Sequence, residues 1–120
     1  MDHGGARHHR ARMGEAIREE IIALVEGELG DPRIGLVSIT EVEMAPDGRS
    51  AHVYFAVLGD EEEAGRTLEG LAAARPYIRR QLTARLRLRQ APELVFHLDR
   101  SQQISSRIDE LLKRVKQRNQ

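Results

Sequence analysis

The chain has 120 residues, of which 40% are hydrophobic, and this is enough for one modest core in a single domain. It contains no cysteine, so a disulfide framework and a cysteine-ligated zinc site are both excluded. No apolar run approaches the length that spans a bilayer, and no apolar stretch of the secretory-signal kind follows the N-terminal His and Arg residues. We therefore expect a cytoplasmic protein without membrane contact.

The formal net charge is zero, but the charges are unevenly distributed along the chain. Residues 41–69 hold eight acidic side chains against two arginines, whereas residues 75–100 hold seven arginines against two acidic side chains. A chain polarised in this way can hold an anion on one side and repel it on the other. The excess of arginine over lysine favours bidentate phosphate recognition, although the base composition of a genome can produce the same bias.

Residues 1–9 are expected to be disordered, because they hold two glycines and three histidines without periodicity. Three histidines, with Asp2, could chelate a metal in principle: His3, His8 and His9. A floppy terminus fixes no ligand geometry, so we predict no metal site. A helix follows from about Arg10, in which apolar residues recur at steps of three and four, and Gly30 ends it.

Two strands are predicted next. The first, Leu36–Met44, is rich in β-branched residues, and its inward face changes phase between Ile39 and Val42, which indicates a β-bulge. Pro46-Asp47-Gly48 is typical of a tight turn. The second strand, Ser50–Leu58, alternates with its odd-numbered residues inward, and we expect the two strands to pair as a hairpin.

A helix is predicted to begin after the N-cap residue Asp60 and to run to about Ala74. The residue before a proline avoids helical angles, so Ala74-Arg75-Pro76 is predicted to break this helix. Pro76 can open a further helix that runs to about Arg89. A third strand, Glu93–Asp99, is expected after it.

Beyond the third strand, Ser101 is a candidate cap for a last helix, and its basic end, Lys113–Arg118, is interpreted as a mobile arm. The predicted architecture is an α+β fold of the order α-β-β-α-kink-α-β, with a C-terminal helical extension. A helix, a break and a helix before a final strand is the arrangement of type II KH-like RNA-binding domains. We therefore assign residues 10–100 to a KH-like domain and 101–120 to the extension.

In the predicted helix after Pro76, several arginines lie on one side. At 100° per residue, Arg79, Arg80 and Arg87 fall on one arc beside an apolar band. Guanidinium groups there could bind phosphates and stack on unpaired bases, so this arc is the candidate RNA-binding surface. A solvated face whose arginines pair with the acidic segment is the alternative. Arg85 lies close to the apolar band and is interpreted as structural.

Catalytic motifs are missing from the sequence. It contains no nucleophile motif with a histidine partner, no phosphate loop and no dinucleotide fingerprint. We therefore predict that the protein is not an enzyme, has no catalytic residues or cofactor, and takes no small-molecule substrate.

Several motifs occur in an order that resembles the bacterial ribosome-binding factor A family, from about Arg10 to Leu112. They are Asp31-Pro32-Arg33-Ile34, Val37–Met44, Pro46-Asp47-Gly48, Ala51–Phe55, Ile78-Arg79-Arg80, Leu86–Arg89, Pro92-Glu93-Leu94, Phe96, Asp99-Arg100-Ser101 and Ser106-Arg107-Ile108. The resemblance implies a KH-like domain that binds the free or immature 30S subunit and 16S rRNA. It also implies a role in late 30S maturation, in 16S 5′-end processing and in growth at low temperature.

Under this resemblance we expect a monomer that contacts rRNA through one set of arginines. They are Arg10, Arg12, Arg75, Arg79, Arg80, Arg87 and Arg89. The family usually carries Ala-Xaa-Gly at the helix break, whereas this chain has Ala74-Arg75-Pro76. A proline ring prevents the close backbone approach that glycine allows, which shifts the expected RNA contact to the arginine side chains.

Two other functions fit the residues. A generic binder of single-stranded RNA would use the same arginines, and would bind short unstructured RNA as tightly as 30S particles. A protein-interaction domain would instead present its acidic side to a basic ribosomal protein.

Overall fold

The computed structural model describes residues 3–99 and 112–117. Helix α1 spans His3–Ile22 and continues into a π-helical turn, Ala23–Glu28. Strand β1 spans Val37–Met44, β2 spans Ser50–Val57, helix α2 spans Glu61–Arg85 and β3 spans Glu93–Leu98. Residues 112–117 are helical. The predicted cap at Ser101 and the first part of the predicted last helix lie outside the described residues.

The strands form one three-stranded sheet in the order β1-β2-β3. β1 and β2 are antiparallel, as expected of a hairpin, and β3 lies parallel to β2. The register of β1 on β2 shifts between Ile39 and Glu41, so the predicted bulge is confirmed. The predicted turn between these strands is also present. Gly48 has φ 73° and donates its N–H to the Ala45 carbonyl at 2.9 Å.

Both helices pack on the same face of the sheet, which buries the core. Ile17 and Ile21 come from α1, and Leu24 comes from the π-helical turn that continues it. Ile78 and Leu82 come from α2, and all five side chains are fully buried. From the sheet, the inward residues of β2 are Ala51, Val53 and Phe55. This is the predicted α+β, KH-like arrangement, with two helices covering one side of a small sheet.

The first helix begins earlier than the sequence suggests. The disordered stretch expected over residues 1–9 is helical from His3 onwards. Gly4 and Gly5 lower helix propensity, yet the segment continues the helix whose later residues are anchored in the core. Helix α1 therefore runs without interruption across the predicted boundary at Arg10.

Helix α2 is continuous through Pro76, so the predicted division into two helices is wrong. Proline removes the hydrogen bond to the carbonyl four residues earlier, at a cost of about 3 kcal/mol in a helix interior. Leu71 on one side of Pro76 and Ile78 on the other are both fully buried. Each such side chain stabilises the fold by about 1.5–3 kcal/mol, which is enough to hold one helix across the proline.

The same helix ends at Arg85, four residues before the predicted end at Arg89. Leu88 donates its N–H to the Thr83 carbonyl at 3.0 Å, and Arg87 has φ 53°. A positive φ followed by such a bond is the Schellman motif, which usually places glycine in the left-handed position. Because arginine stands there, the sequence carries no stop signal, and Arg87 and Arg89 lie in a loop beyond the helix.

Replacing Arg87 with glycine should therefore stabilise the fold. A left-handed conformation costs a non-glycine residue about 1–2 kcal/mol, and the entropy that glycine loses on folding offsets part of the gain. We expect Arg87→Gly to raise the free energy of unfolding by about 0.5–1 kcal/mol, measured by urea denaturation. Arg89→Gly is the control, because Arg89 has no positive φ, and it should give no gain. A loss of stability in Arg87→Gly would contradict this explanation of the helix end.

Candidate nucleic-acid interface

The arginines predicted to bind RNA gather mostly at one end of the sheet. Met44 at the end of β1 pairs with Ala51, and Ser50 at the start of β2 pairs with Glu93 at the start of β3. The hairpin turn 45–49 and the loop 86–92 therefore lie side by side at this end. We call it the basic end, and it comprises Arg10, Arg12, Arg49, Arg79, Arg80, Arg87 and Arg89.

Helix α1 brings Arg10 and Arg12 to the same end. A Cβ placed on Gly14 would lie 3.1 Å from the carbonyl oxygen of Val42 and close to Met44. Farther along this helical segment, Glu26 accepts a hydrogen bond from the N–H of Ile39 at 3.0 Å. α1 thus runs antiparallel to β1, and its N-terminal part lies beside the end of β1.

Arg79 has an internal partner set that the sequence does not reveal. Its Nε donates to the Pro92 carbonyl at 3.1 Å and its Nη2 to the Ala91 carbonyl at 2.9 Å. A carboxylate oxygen of Glu93 lies 3.5 Å from the same Nη2. The guanidinium therefore joins α2 to the chain that enters β3, and its contact with RNA stays a prediction.

Arg80 and Arg89 lie on either side of an open groove of about 450 Å³, which Pro76, Arg79, Thr83, Gln90 and Ala91 also line. Both arginines are exposed. Neither guanidinium group has a hydrogen bond or an ion pair to any residue in the described part of the chain. Exposed guanidinium groups that share a groove can bind two phosphates of one strand, because each keeps all of its donors available.

Arg49 also lies at this end, although it was not among the arginines predicted to bind RNA. It follows the hairpin turn, and its carbonyl accepts the N–H of Glu93 at 2.9 Å. A second groove, of about 470 Å³, lies between Arg49 and Arg79 and is lined by Gly48 and Gln90 as well. The register of β2 on β3 places Arg49 there, and that register could not be read from spacing along the chain.

Arg75 lies apart from the basic end. Its guanidinium carbon is 5.7 Å from the centre of the Phe96 ring, which is a cation–π distance. Its Nε is buried and has no hydrogen-bond partner among the described residues. The neighbouring Ala74 packs against the core, and Pro76 is exposed. Arg75 therefore packs α2 on β3, and RNA binding by this side chain stays a prediction.

Arg85 has the structural role that its position suggested. It forms ion pairs with Glu28 at 2.8 Å and with Glu20 at 3.4 Å. The hydrogen bond that Arg85 donates to Glu28, together with the one that it donates to Glu20, raises the pKa of Arg85. Because both partners belong to the first helical segment, Arg85 fastens α2 to α1 and is not available to a ligand.

The basic end of the C-terminal segment also contacts the domain. Arg114, within the helical residues 112–117, donates to a carboxylate oxygen of Glu26 at 3.1 Å. The other oxygen of Glu26 accepts the N–H of Ile39. The predicted mobile arm is thus attached to the domain at Arg114.

Membrane-spanning helices and clusters of metal-ligating side chains are both absent from the described residues, 3–99 and 112–117. No helix there is long and apolar enough to cross a bilayer. The same residues contain no group of His, Cys, Asp and Glu side chains that could hold a metal ion.

Comparison with known proteins points to one family. The family model described as "Ribosome-binding factor A" matches residues 9–112. A ribosome-binding factor A of Koribacter versatilis is 59% identical over 118 residues, which cover 98% of this chain and 96% of the relative. One from Thermomicrobium roseum is 42% identical over 113 residues, which cover 94% of this chain and 88% of the relative.

Two structures of ribosome binding factor A are also similar to this chain. A ribosome binding factor A from Thermotoga maritima, solved by NMR, matches with a TM-score of 0.67 and 32% identity over 77% of this chain and 89% of its own. A homology model of the Thermus thermophilus ribosome binding factor A, fitted into the cryo-EM map of a 30S complex, has a TM-score of 0.56 and 32% identity. That match covers 78% of this chain and 93% of the other.

The hydrogen bonds of Arg79 predict a separation of stability from binding. Arg79→Ala leaves the carbonyls of Ala91 and Pro92, both in buried residues, without donors, and this should lower the free energy of unfolding by about 1–3 kcal/mol. Arg80→Ala, one residue along the same helix, should change it by no more than about 0.5 kcal/mol. Chemical denaturation of both variants checks this. Equal stabilities would show that Arg79 does not join α2 to β3.

Proposed function

Because this chain belongs to the ribosome-binding factor A family, we propose that it is a ribosome assembly factor that binds the free or immature 30S subunit. Two findings support this. The family match covers nearly the whole domain, and the Thermus thermophilus relative is fitted into a map of a 30S complex. We propose further that 16S rRNA is the component of the subunit that the chain contacts, and that it does so as a monomer in the cytoplasm.

The proposed task is late maturation of the 30S subunit, including processing of the 16S rRNA 5′ end, with a role in growth at low temperature. These finer roles come from the family resemblance. We propose that the protein acts in them by binding and not by catalysis, as the family resemblance also implies.

The observation that carries the proposal is the groove between Arg80 and Arg89. Two exposed guanidinium groups face it, and the adjoining groove adds Arg49. Among the described residues, Glu93 supplies the only carboxylate that lines either groove, and Arg79 approaches it at 3.5 Å. Such a surface attracts a phosphate backbone, and its binding should weaken steeply with salt because counterions are released.

The arginines of the basic end would contribute unequally to RNA binding. Arg80, Arg87 and Arg89 are exposed and can turn their donors towards phosphates or stack on unpaired bases. Arg10 and Arg12 would extend the contact along α1. Arg79 would act mainly by holding the loop that carries Arg87 and Arg89 against α2.

Single substitutions of Arg80 and Arg89 should test this surface. We expect Arg80→Gln and Arg89→Gln each to weaken binding to free 30S subunits by roughly fivefold to tenfold at low salt. Each should also lower the slope of log affinity against log salt by about one, as loss of one phosphate contact does. Co-sedimentation with 30S subunits over a salt series measures both quantities.

Arg66→Gln is the matched control, because Arg66 is exposed on the same helix but lies about 20 Å before Arg80. It should leave the affinity and the salt slope unchanged. Equal effects of all three substitutions would contradict a local RNA-binding surface. Equal affinity of the unaltered protein for short unstructured RNA and for 30S subunits would instead favour the generic RNA binder.

A further inference from the structure

The face of the sheet that points away from the two helices carries a set of aromatic rings that rRNA binding at the basic end does not use. We propose that this face is a second docking surface, and that it receives an arginine-bearing segment of a basic protein. The inference is separate from the proposed function, because it concerns different residues and a different class of partner.

The strand register arranges this face in two rows. In one row Glu41 of β1 pairs with Tyr54 of β2, which pairs with His97 of β3. In the adjacent row Glu43 pairs with His52, which pairs with Val95. Each row therefore has a carboxylate on β1 and an aromatic ring on β2. On β3 the first row has a ring and the second row has an apolar side chain. We call these six residues the ring face.

The rings of the ring face contact one another. His97 stacks on both Tyr54 and His52, with ring centres 5.0 Å apart and planes inclined by 23° in each pair. Nδ1 of His52 lies 2.8 Å from Nε2 of His97, so one histidine donates a hydrogen bond to the other. These contacts order the rings before any partner binds, which lowers the conformational entropy that these side chains lose on binding.

The ring face is accessible. Val95, at the β3 end of the second row, is 37% exposed. His52, Tyr54 and His97 are half-buried, and Glu41 and Glu43 are exposed. A partner could therefore cover apolar and aromatic surface and reach the two carboxylates at once.

Charge selects the kind of partner. The side chains of Glu41 and Glu43 have no ion pair or hydrogen bond to any residue within the described ranges, and their charges would repel a phosphate backbone. A guanidinium suits both features, because it stacks flat on aromatic rings while its edge donates paired hydrogen bonds to a carboxylate. Arginine in a basic protein segment therefore fits the ring face better than RNA does.

The test uses the full chain and follows its backbone amide shifts by NMR. The probe is a short peptide that carries several arginines, and its control is the same peptide with citrulline, which keeps the shape but has no charge. We expect the arginine peptide to shift the amides of Tyr54, Val95 and His97, and to bind at least about fivefold more tightly than the citrulline peptide.

Two test variants and one control variant sharpen the result. Glu41→Gln with Glu43→Gln should weaken peptide binding by roughly tenfold, while Glu62→Gln with Glu69→Gln, exposed acids on α2, should leave it unchanged. Tyr54→Leu keeps an apolar residue in the strand and should weaken binding by several-fold through loss of the ring. Binding of the chain to 30S subunits through Arg80 and Arg89 should persist in all three.

Several results would overturn the proposal. They are the absence of shifts on the ring face, equal weakening by the two acid pairs, and tighter binding of single-stranded oligouridine than of the peptide at these amides. Nuclear Overhauser contacts from residues 100–120 to the rings of Tyr54 and His97 in the free protein would also overturn it, because the chain's own C-terminal segment would then occupy the face.

Discussion

The parallel pairing of β2 with β3 is the constraint on which the rest of the structure depends. A chain that leaves β2 must return along the full length of the sheet before it can start a parallel neighbour, and here α2 makes that return. The end of α2 and the loop after it consequently lie beside the starts of β2 and β3. Arg79 holds this junction through the carbonyls of Ala91 and Pro92. The arginine-rich stretch is thus delivered to one end of the sheet by the topology itself.

This placement gives the molecule two surfaces of different chemistry. The basic end presents guanidinium groups around open grooves, whereas the ring face presents stacked rings bordered by Glu41 and Glu43. The zero net charge of the chain conceals this division. A factor with such a distribution can be attracted to a phosphate backbone in one orientation and repelled in others, so charge contributes orientation as well as affinity.

Much of the fold could be predicted from local signals. The bulge in β1, the turn at Pro46–Gly48 and the cap at Asp60, whose side chain accepts the N–H of Glu63, are all confirmed because neighbouring residues determine them. The prediction that Pro76 breaks the helix was wrong, because the buried side chains of Leu71 and Ile78 on either side of the proline stabilise the helix by more than one lost hydrogen bond costs. The end of α2 was missed because arginine, not glycine, adopts the left-handed position. The site was only partly predicted, since Arg49 reaches it through strand register and Arg79 is bound by carbonyls that spacing does not reveal.

The central claim is that the end of the sheet formed by Arg49, Arg80 and Arg89 holds the ribosomal RNA. Cryo-EM density for the full chain on an immature 30S subunit tests it most directly. We expect the two grooves beside Arg79 to face the rRNA backbone, with Arg80 and Arg89 within hydrogen-bond distance of phosphates. Density that places rRNA against Glu41 and Glu43, or against the Asp60 end of α2, with the basic end facing solvent, would contradict it.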